Sequence, residues 1–411
     1  MGRNMEVTRM DGSYSSEFAR LHGHRESYFL RWYHEKPMAM TRNRRNELKE
    51  LHRILNKCIY YMAEHYEQYV PAYMPLSDAE MELLEMQARY PYRAGAYRPD
   101  YILAEDGRLL LCEITCRFFA HGVFSSYYAE CAADRFMERF PDKERETEFE
   151  AMLKYMAEHT TGKGSISVLK SADKTGEIQL YVPFYQQLGK QVEVFEAEEV
   201  CAKRGLWEKG CVISALNQAD LLSFPKETVM AMLDAGMIND LRTVLIIHDK
   251  RFMSLWYEDD FTGKFLTASE TAFLRSHAIP TWLYGSCEDR WEDARKNKNG
   301  YILKHHRLGK SEKVYGGPIT EPAVWESLWE KGDVRDMILQ PFIQQRTFPT
   351  VWEGQAFDDY ICGMMLCVDD RYFESGIFRA SSLPVTNVGD DRKVCPIYTD
   401  DEEVLRCCDV L

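Results

Sequence analysis

Between residues 43 and 69 the side chains Leu48, Leu51, Ile54, Leu55, Cys58, Ile59 and Met62 recur at the spacing of one helix face, and Pro71 and Pro75 close the segment. The pattern predicts a long amphipathic helix. Just upstream, Leu21 to His34 is rich in aromatic and basic side chains. A packed N-terminal helix is the plainer reading of that stretch, and a substrate-facing loop is the alternative. Further on, Tyr101-Ile-Leu-Ala precedes Glu105-Asp106-Gly107-Arg108, and Leu109-Leu-Leu-Cys-Glu-Ile follows. Two apolar runs around an Asp-Gly turn predict a β-hairpin. The segment after it, from Phe118 to Pro141, runs into a helix, and the turn Gly122 to Ser126 could aim backbone N–H groups at an anion.

From about 160 to 285 short apolar runs alternate with helical stretches. Ile166-Ser-Val-Leu, Val192-Glu-Val-Phe, Cys211-Val-Ile-Ser and Thr243-Val-Leu-Ile-Ile-His are the strand candidates, and 217 to 240 is one of the helices. Alternation of this kind implies parallel strands with helical crossovers. From 286 onward the pattern changes. Tyr301-Ile-Leu-Lys304, Asp336-Met-Ile-Leu-Gln340-Pro-Phe-Ile, Gly363-Met-Met-Leu-Cys-Val and Tyr372 to Arg379 are apolar or alternating runs between short turns, which is antiparallel in character.

With 411 residues and 45% hydrophobic positions, the chain has room for two or three full cores. No apolar run reaches the roughly 20 residues that span a bilayer. The polar start Met1-Gly-Arg-Asn lacks a signal peptide's apolar centre, so a cytoplasmic protein with no membrane partner is expected. Its 12 cysteines are scattered in apolar surroundings rather than set in a dense framework, which suits reduced core thiols. Cys112 with Cys116, His305-His306 and Cys407-Cys408 are each too isolated for a zinc site. A formal charge of −14 argues against a nucleic-acid surface and favours a small-molecule role. Neither a G-x-G-x-x-G fingerprint nor a P-loop occurs, so the usual dinucleotide fold and the P-loop NTPases lose support.

The candidate chemistry begins at the hairpin, where Arg98-Pro-Asp100 and Glu113-Ile-Thr115-Cys-Arg117 bring two carboxylates and two arginines to its open end. Adjacent carboxylates repel, so a positive group belongs between or beside them. An arginine would make a structural ion pair; Mg²⁺, with its preference for hard oxygen, would make a metal site. The local sequence leaves both readings open.

Taken in order, these pieces resemble a circularly permuted ATP-grasp ligase of the glutathionylspermidine synthase-like group, over roughly residues 95 to 395. The matching positions are Arg98 and Asp100, Glu113, Lys250 in His-Asp-Lys-Arg-Phe, Lys304 with Gly316-Gly317 beyond it, Gln340 in Ile-Leu-Gln-Pro-Phe-Ile, and Arg379 with Asn387. The resemblance implies an α+β fold with antiparallel sheets around a nucleotide. It divides the chain into an N-terminal helical region with the metal hairpin (1–160), a pre-grasp α/β domain (161–285) and a lid with the adenine- and phosphate-binding sheet (286–411).

The implied activity is ATP-dependent joining of a carboxylate to an amine, as an amide or peptide bond, through an acyl phosphate. Asp100, Glu113 and Thr115 would hold Mg²⁺. Arg98 and Arg379 would be the catalytic arginines, with Arg98 facing the γ-phosphate or the acyl phosphate. Lys250 and Lys304 would clasp the α- and β-phosphates, Gly316 and Gly317 would form a lid, and Gln340 would meet the adenine edge. Such clustered charge lowers the barrier of an in-line phosphoryl transfer. Both substrates would be small or peptidic; Arg117 and Asn387 are the candidate substrate contacts, with Arg25 and Arg93 as further carboxylate anchors.

Each residue also has a plain structural reading. Lys250 could be an exposed helix-start residue, Lys304 a snorkelling lysine, Gln340 a strand end and Arg379 an ion-pair partner. Thr115 stands where that family usually has asparagine, the loop from Arg307 to Gly317 is more charged than a typical lid, and nothing resembles the family's amidase domain. Two other classes compete. Pro99-Asp100 with Glu113-x-Thr115 approximates the Pro-Asp/Glu-x-Lys pattern of metal-dependent nucleases, without its lysine. A grasp-like binding protein that does not catalyse is the other.

Overall fold

The periodic face of the first long helix governs the packing around the hairpin. In the computed structural model, which describes residues 12–116, 122–159, 164–172, 178–386 and 392–411, that helix runs Arg42–Tyr73. Thr41 caps it by accepting from the Arg44 N–H, and every predicted face residue from Leu48 to Met62 is fully buried. Pro71 lies inside the last turn instead of ending the helix, a place where few ladder bonds are lost. The aromatic and basic stretch upstream is helical, Tyr14–His22 and Glu26–Leu30, so the packed reading holds there.

Between these helices lies the short strand β1 (Met38–Met40). The hairpin follows as β2 (Ala96–Leu103) and β3 (Leu109–Thr115), antiparallel, with Gly107 at φ 83° in the turn that only glycine takes without strain. Its register sets Asp100 opposite Glu113 and Arg98 opposite Thr115, with an irregularity between Asp100 and Tyr101. The helix Val123–Met137 follows, with Gly122 at its N-cap.

Three of the four predicted parallel strands form: β4 (Ser165–Lys170), β5 (Gln191–Glu196) and β6 (Cys211–Ala215), in the order β5-β4-β6. The fourth does not. Thr243–Ile247 is a π-helical turn, and the free side of β6 is met instead by a single parallel bridge from Ile213 to Ile238. All five side chains of that turn are buried, and a run apolar on every side carries no period by which strand and helix differ. The predicted helix over 217–240 is two, Gln218–Ser223 and Lys226–Asp234, separated at Pro225.

The antiparallel character predicted beyond residue 286 is present. β7 (Trp282–Leu283), β8 (Tyr301–His305), β9 (Val314–Gly316) and β10 (Met337–Pro341) make a sheet ordered β7-β10-β8-β9. One face packs on Trp291, Trp325 and Leu328 from two helices. Then come β11 (Thr347–Trp352), β12 (Gln355–Met364), β13 (Cys367–Val368), β14 (Arg371–Tyr372), β15 (Phe378–Ser381) and β16 (Lys393–Val394). These join the hairpin in a sheet ordered β14-β13-β2-β12-β15-β16, with β3 on β2 and β11 on β12. Late strands therefore complete an early hairpin. The same closure recurs at β1, which lies between β17 (Pro396–Tyr398) and β18 (Asp409–Val410). The fold class is α+β. No helix among the described residues is long and apolar enough to cross a membrane.

Candidate functional site

Pairing across β2 and β3 puts the Asp100 and Glu113 side chains on one face, and pairing of β12 with β2 and β15 carries Arg379 to the same place. Asp100 is fully buried. Its Oδ1 accepts from Arg98 Nε at 2.7 Å and its Oδ2 from Arg98 Nη2 at 3.0 Å and Arg379 Nη2 at 2.6 Å. The ion-pair reading of the hairpin is thus realised in part: Asp100 is held between two guanidiniums, as a buried carboxylate must be. Arg379 Nη2 also lies 3.4 Å from Cys362 Sγ, while Arg379 Nε is buried without a hydrogen-bond partner among the described residues. Burial disfavours the Arg379 charge, yet Cys362, Asp100 and Glu113 together hold the guanidinium more firmly protonated than usual.

Glu113 meets two lysines in addition to those arginines. Lys250 Nζ is 3.5 Å from Glu113 Oε2 and donates to the Leu308 carbonyl at 2.6 Å. Burial alone would raise the Glu113 pKa, but Lys250, Lys304, Arg379 and Arg98 outweigh it and hold the carboxyl at about 2. The carboxylate is ionised at neutral pH and one quarter of its side chain reaches solvent. Lys304, on β8, donates to the Cys112 carbonyl at 3.3 Å and so ties the four-stranded sheet to the hairpin. Both lysines are buried, Lys250 to 3% exposure and Lys304 to 8%. Neither the exposed helix-start reading of Lys250 nor simple snorkelling of Lys304 describes them. Thr115, two residues beyond Glu113, shares its face of β3.

The placing of Lys250 depends on residues that the sequence reading passed over. Asp249 is fully buried and accepts from Arg251 Nε at 3.0 Å and Nη2 at 2.7 Å, from His306 Nδ1 at 2.9 Å and from Arg307 Nε at 3.2 Å. Burial would raise its pKa, but these partners hold it well below the carboxylate range. The Lys250 N–H donates to the His306 carbonyl at 2.8 Å, so the lysine and the base of the loop after β8 are fixed to one another. His-Asp-Lys-Arg and His305-His306 were the visible signals; their meeting was not.

Gln340, on β10, is fully buried and in register with Ile302, so it shares a sheet face with Lys304 two residues along β8. Its Nε2 donates to Thr281 Oγ1 at 2.9 Å, and its Oε1 is left without a hydrogen-bond partner among the described residues. Gly316 and Gly317 are also buried, but against backbone and ring. A Cβ at Gly317 would come within 1.6 Å of the Lys298 carbonyl oxygen, and one at Gly316 within 2.9 Å of the Phe342 ring. They close the turn after β9 rather than hang over the site as a free flap. Arg93 is engaged by Asp369 at 2.9 Å, and Arg25 lies on an exposed turn beside His24. Arg117 and Asn387 fall outside the described residues.

The sequence model of one family, described as the AnkG N-terminal domain, matches residues 49–246, slightly under half of the chain. The chain is similar to that family from the long helix through the hairpin to the π turn. The match takes in Arg98, Asp100, Glu113 and Thr115 and ends before Lys250. No curated protein matches the chain.

Proposed function

We propose that this protein is an ATP-dependent carboxylate–amine ligase that forms an amide or peptide bond through an acyl phosphate, on a circularly permuted ATP-grasp fold. The observation that carries this reading is the gathering of Arg98 and Arg379 on Asp100, of Lys250 on the facing Glu113 and of Lys304 on the neighbouring Cys112 carbonyl, in a chain of net charge −14. Four cations facing two carboxylates leave a local positive excess, which is what a polyphosphate needs. They come from the hairpin, the segment after the π turn, the four-stranded sheet and β15. The two antiparallel sheets meet where Lys304 reaches Cys112.

Mg²⁺ fits the donor set in a limited way. Among the described residues no three His, Cys, Asp or Glu side chains form a metal cluster. Asp100 and Glu113 are a facing pair of hard-oxygen donors, and Mg²⁺ commonly takes only one or two carboxylates when phosphates supply the rest. Glu113 is the open member; Asp100 would share its oxygens with Arg98 and Arg379. The metal, when bound, would offset phosphate charge. The chain's own residues would do the remainder: Lys250 and Lys304 hold the phosphates, Arg98 and Arg379 stabilise charge on the transferring group, and Gln340 offers its unpaired acceptor to the adenine amine.

One geometric fact favours a second reading. Lys250 stands 3.5 Å from Glu113 and supplies in space the ammonium that Thr115 lacks in the nuclease pattern. Incubation with Mg²⁺-ATP across pools of acids and amines, read by phosphate release and by the mass of any condensation product, separates the two. The ligase reading expects release only with both substrates present. It fails if ATP neither raises the melting temperature nor is consumed in any pool; cleavage of DNA instead would establish the nuclease.

A further inference from the structure

Lys250 is the group a phosphate would need, and in this conformation solvent barely reaches it. Its side chain is 2% exposed, and the Leu308 carbonyl, from the loop after β8, accepts from its ammonium at 2.6 Å. The carboxylate beside it, Glu113, is farther away at 3.5 Å. A carbonyl is a neutral acceptor, standing where an anionic oxygen would bind an ammonium more strongly. The loop therefore covers the lysine on which the proposed site depends.

What holds the loop there is Arg307, the residue before Leu308. Its guanidinium bridges two buried carboxylates on separate elements: Nε donates to Asp249 Oδ2 at 3.2 Å and Nη1 to Glu80 Oε1 at 2.6 Å. Glu80 is 3% exposed and belongs to the helix Asp78–Gln87, where its other oxygen accepts from the Ser77 N–H and Oγ, both at 2.8 Å, in a capping box. Buried carboxylates need their cations, so the bridge resists release. The tip of the loop is built the other way. Lys310, Ser311 and Lys313 have left-handed φ of 57°, 57° and 50°, which a residue with a Cβ keeps only where its surroundings impose it. The donation from Ser311 Oγ to the Thr386 carbonyl at 3.2 Å is one such restraint, and the bond between Leu308 and Lys250 is another.

We propose that this loop is an inhibitory latch: Arg307, clamped between Glu80 and Asp249, aims the Leu308 carbonyl at Lys250, and a phosphate gains the ammonium only when the tip, residues 308–313, swings away. The inference rests on the reading of Lys250 as a phosphate-binding group. The base of the loop stays in place, because the Lys250 N–H and the Asp249 carboxylate both hold His306. The closed tip and the anion then compete for one ammonium, and the apparent affinity falls with the fraction of molecules that are open. Weakening the clamp raises that fraction.

The test compares the full wild-type chain with Arg307→Met and Glu80→Gln, by hydrogen exchange over residues 306–313 and by calorimetric titration with the magnesium complex of inorganic tripolyphosphate. Both variants should fold, since Asp249 keeps Arg251 and His306, and glutamine serves a capping box as glutamate does. In the unliganded variants the segment should exchange at least about tenfold faster. Arg307→Met should bind tripolyphosphate at least about threefold more tightly. The lost cation would by itself weaken an anion, so tighter binding can come only from uncovering Lys250. Measured binding that is equal or weaker in Arg307→Met, or unchanged exchange in both variants, overturns the latch and leaves the ligase reading standing. Faster exchange with no binding by wild type or either variant overturns both, since Lys250 would then meet no phosphate even when uncovered.

Discussion

Lys250→Met tests the cation cluster most directly, because it removes an ammonium while methionine keeps much of the apolar stem. The substitution deletes the contact to Glu113 at 3.5 Å and the donation to the Leu308 carbonyl at 2.6 Å. Two unit charges 4 Å apart attract by about 4 kcal/mol at an effective dielectric of 20. That gain does not stand alone. Lys250 is also repelled by Arg98, Lys304 and Arg379, which act on the same carboxylate. Its loss relieves that repulsion, so the net cost in the unliganded protein should be near that of one charged hydrogen bond, about 1.5–3 kcal/mol. Glu113→Gln should cost more, because it leaves four cations against Asp100 alone. The two changes must then be coupled. The double variant should be more stable than the sum of the single losses by about 1–3 kcal/mol. Urea unfolding of the four proteins at 25 °C measures this directly. Additivity within about 0.5 kcal/mol would refute the claim that Lys250 and Glu113 share one electrostatic site. If the site binds ATP, Lys250→Met should also weaken ATP by about tenfold to a hundredfold, read by titration with Mg²⁺ present.

Three further outcomes follow from the geometry. On the proposed ligase reading, Lys304→Ala should raise the ATP requirement at least about tenfold and loosen the join to Cys112; unchanged ATP titration would remove Lys304 from the proposed nucleotide site. Gly317→Ala must displace backbone, since its Cβ would meet the Lys298 carbonyl oxygen at 1.6 Å, and should lower stability by at least about 2 kcal/mol; an unchanged melting temperature would contradict the close approach. Glu270 is held at about 2, first by Lys57, then by the Thr267 N–H and Arg53, while burial opposes them. A carboxyl whose folded pKa is depressed stabilises the protein above its unfolded pKa of 4.5 and loses that contribution as pH falls toward 2. Glu270→Gln should therefore flatten the acid limb of a stability–pH profile in that window, by about 1 kcal/mol because its cationic partners are half exposed and screened; an unchanged limb would mean that Glu270 does not contribute.

Most of the fold is readable where local chemistry and period agree. The Asp-Gly turn between two apolar runs specifies β2 and β3 and their register as far as Tyr101 opposite Leu111, because a hairpin's register follows from its turn; the facing of Asp100 and Glu113 comes from the register shift just beyond, which the turn does not encode. The face from Leu48 to Met62 specifies the long helix for the same kind of reason. The Thr243–Ile247 run carries no such information, since β-branched residues buried all round suit a central strand as well as a tight turn. The break in the long helix at His65, with φ −122° and ψ 19°, is equally silent: a histidine side chain takes over a backbone carbonyl, and no proline or glycine announces it.

The candidate site divides along the same line. Residue type and order single out Arg98, Asp100, Glu113, Lys250, Lys304, Gln340 and Arg379, and five of these share one electrostatic environment around Glu113 once Asp100 is counted through Arg98 and Arg379. Gln340 joins them only by lying on the Lys304 face of its sheet. What one dimension does not show is how the lysines are held. Asp249 looks like a solvated charge in His-Asp-Lys-Arg, yet it is the buried acceptor that gathers Arg251, His306 and Arg307, some 50 residues apart in the chain, so that Lys250 and the loop after β8 move as one piece. The two glycines teach the converse: a Gly-Gly after a lysine-bearing strand invites a phosphate-lid reading, whereas here the missing side chains make room for the Lys298 carbonyl and the Phe342 ring. A charge cluster assembled from four distant segments is thus legible as a list of members, while its rigidity, which decides whether those members can act on one phosphate, resides in contacts that only the folded chain creates.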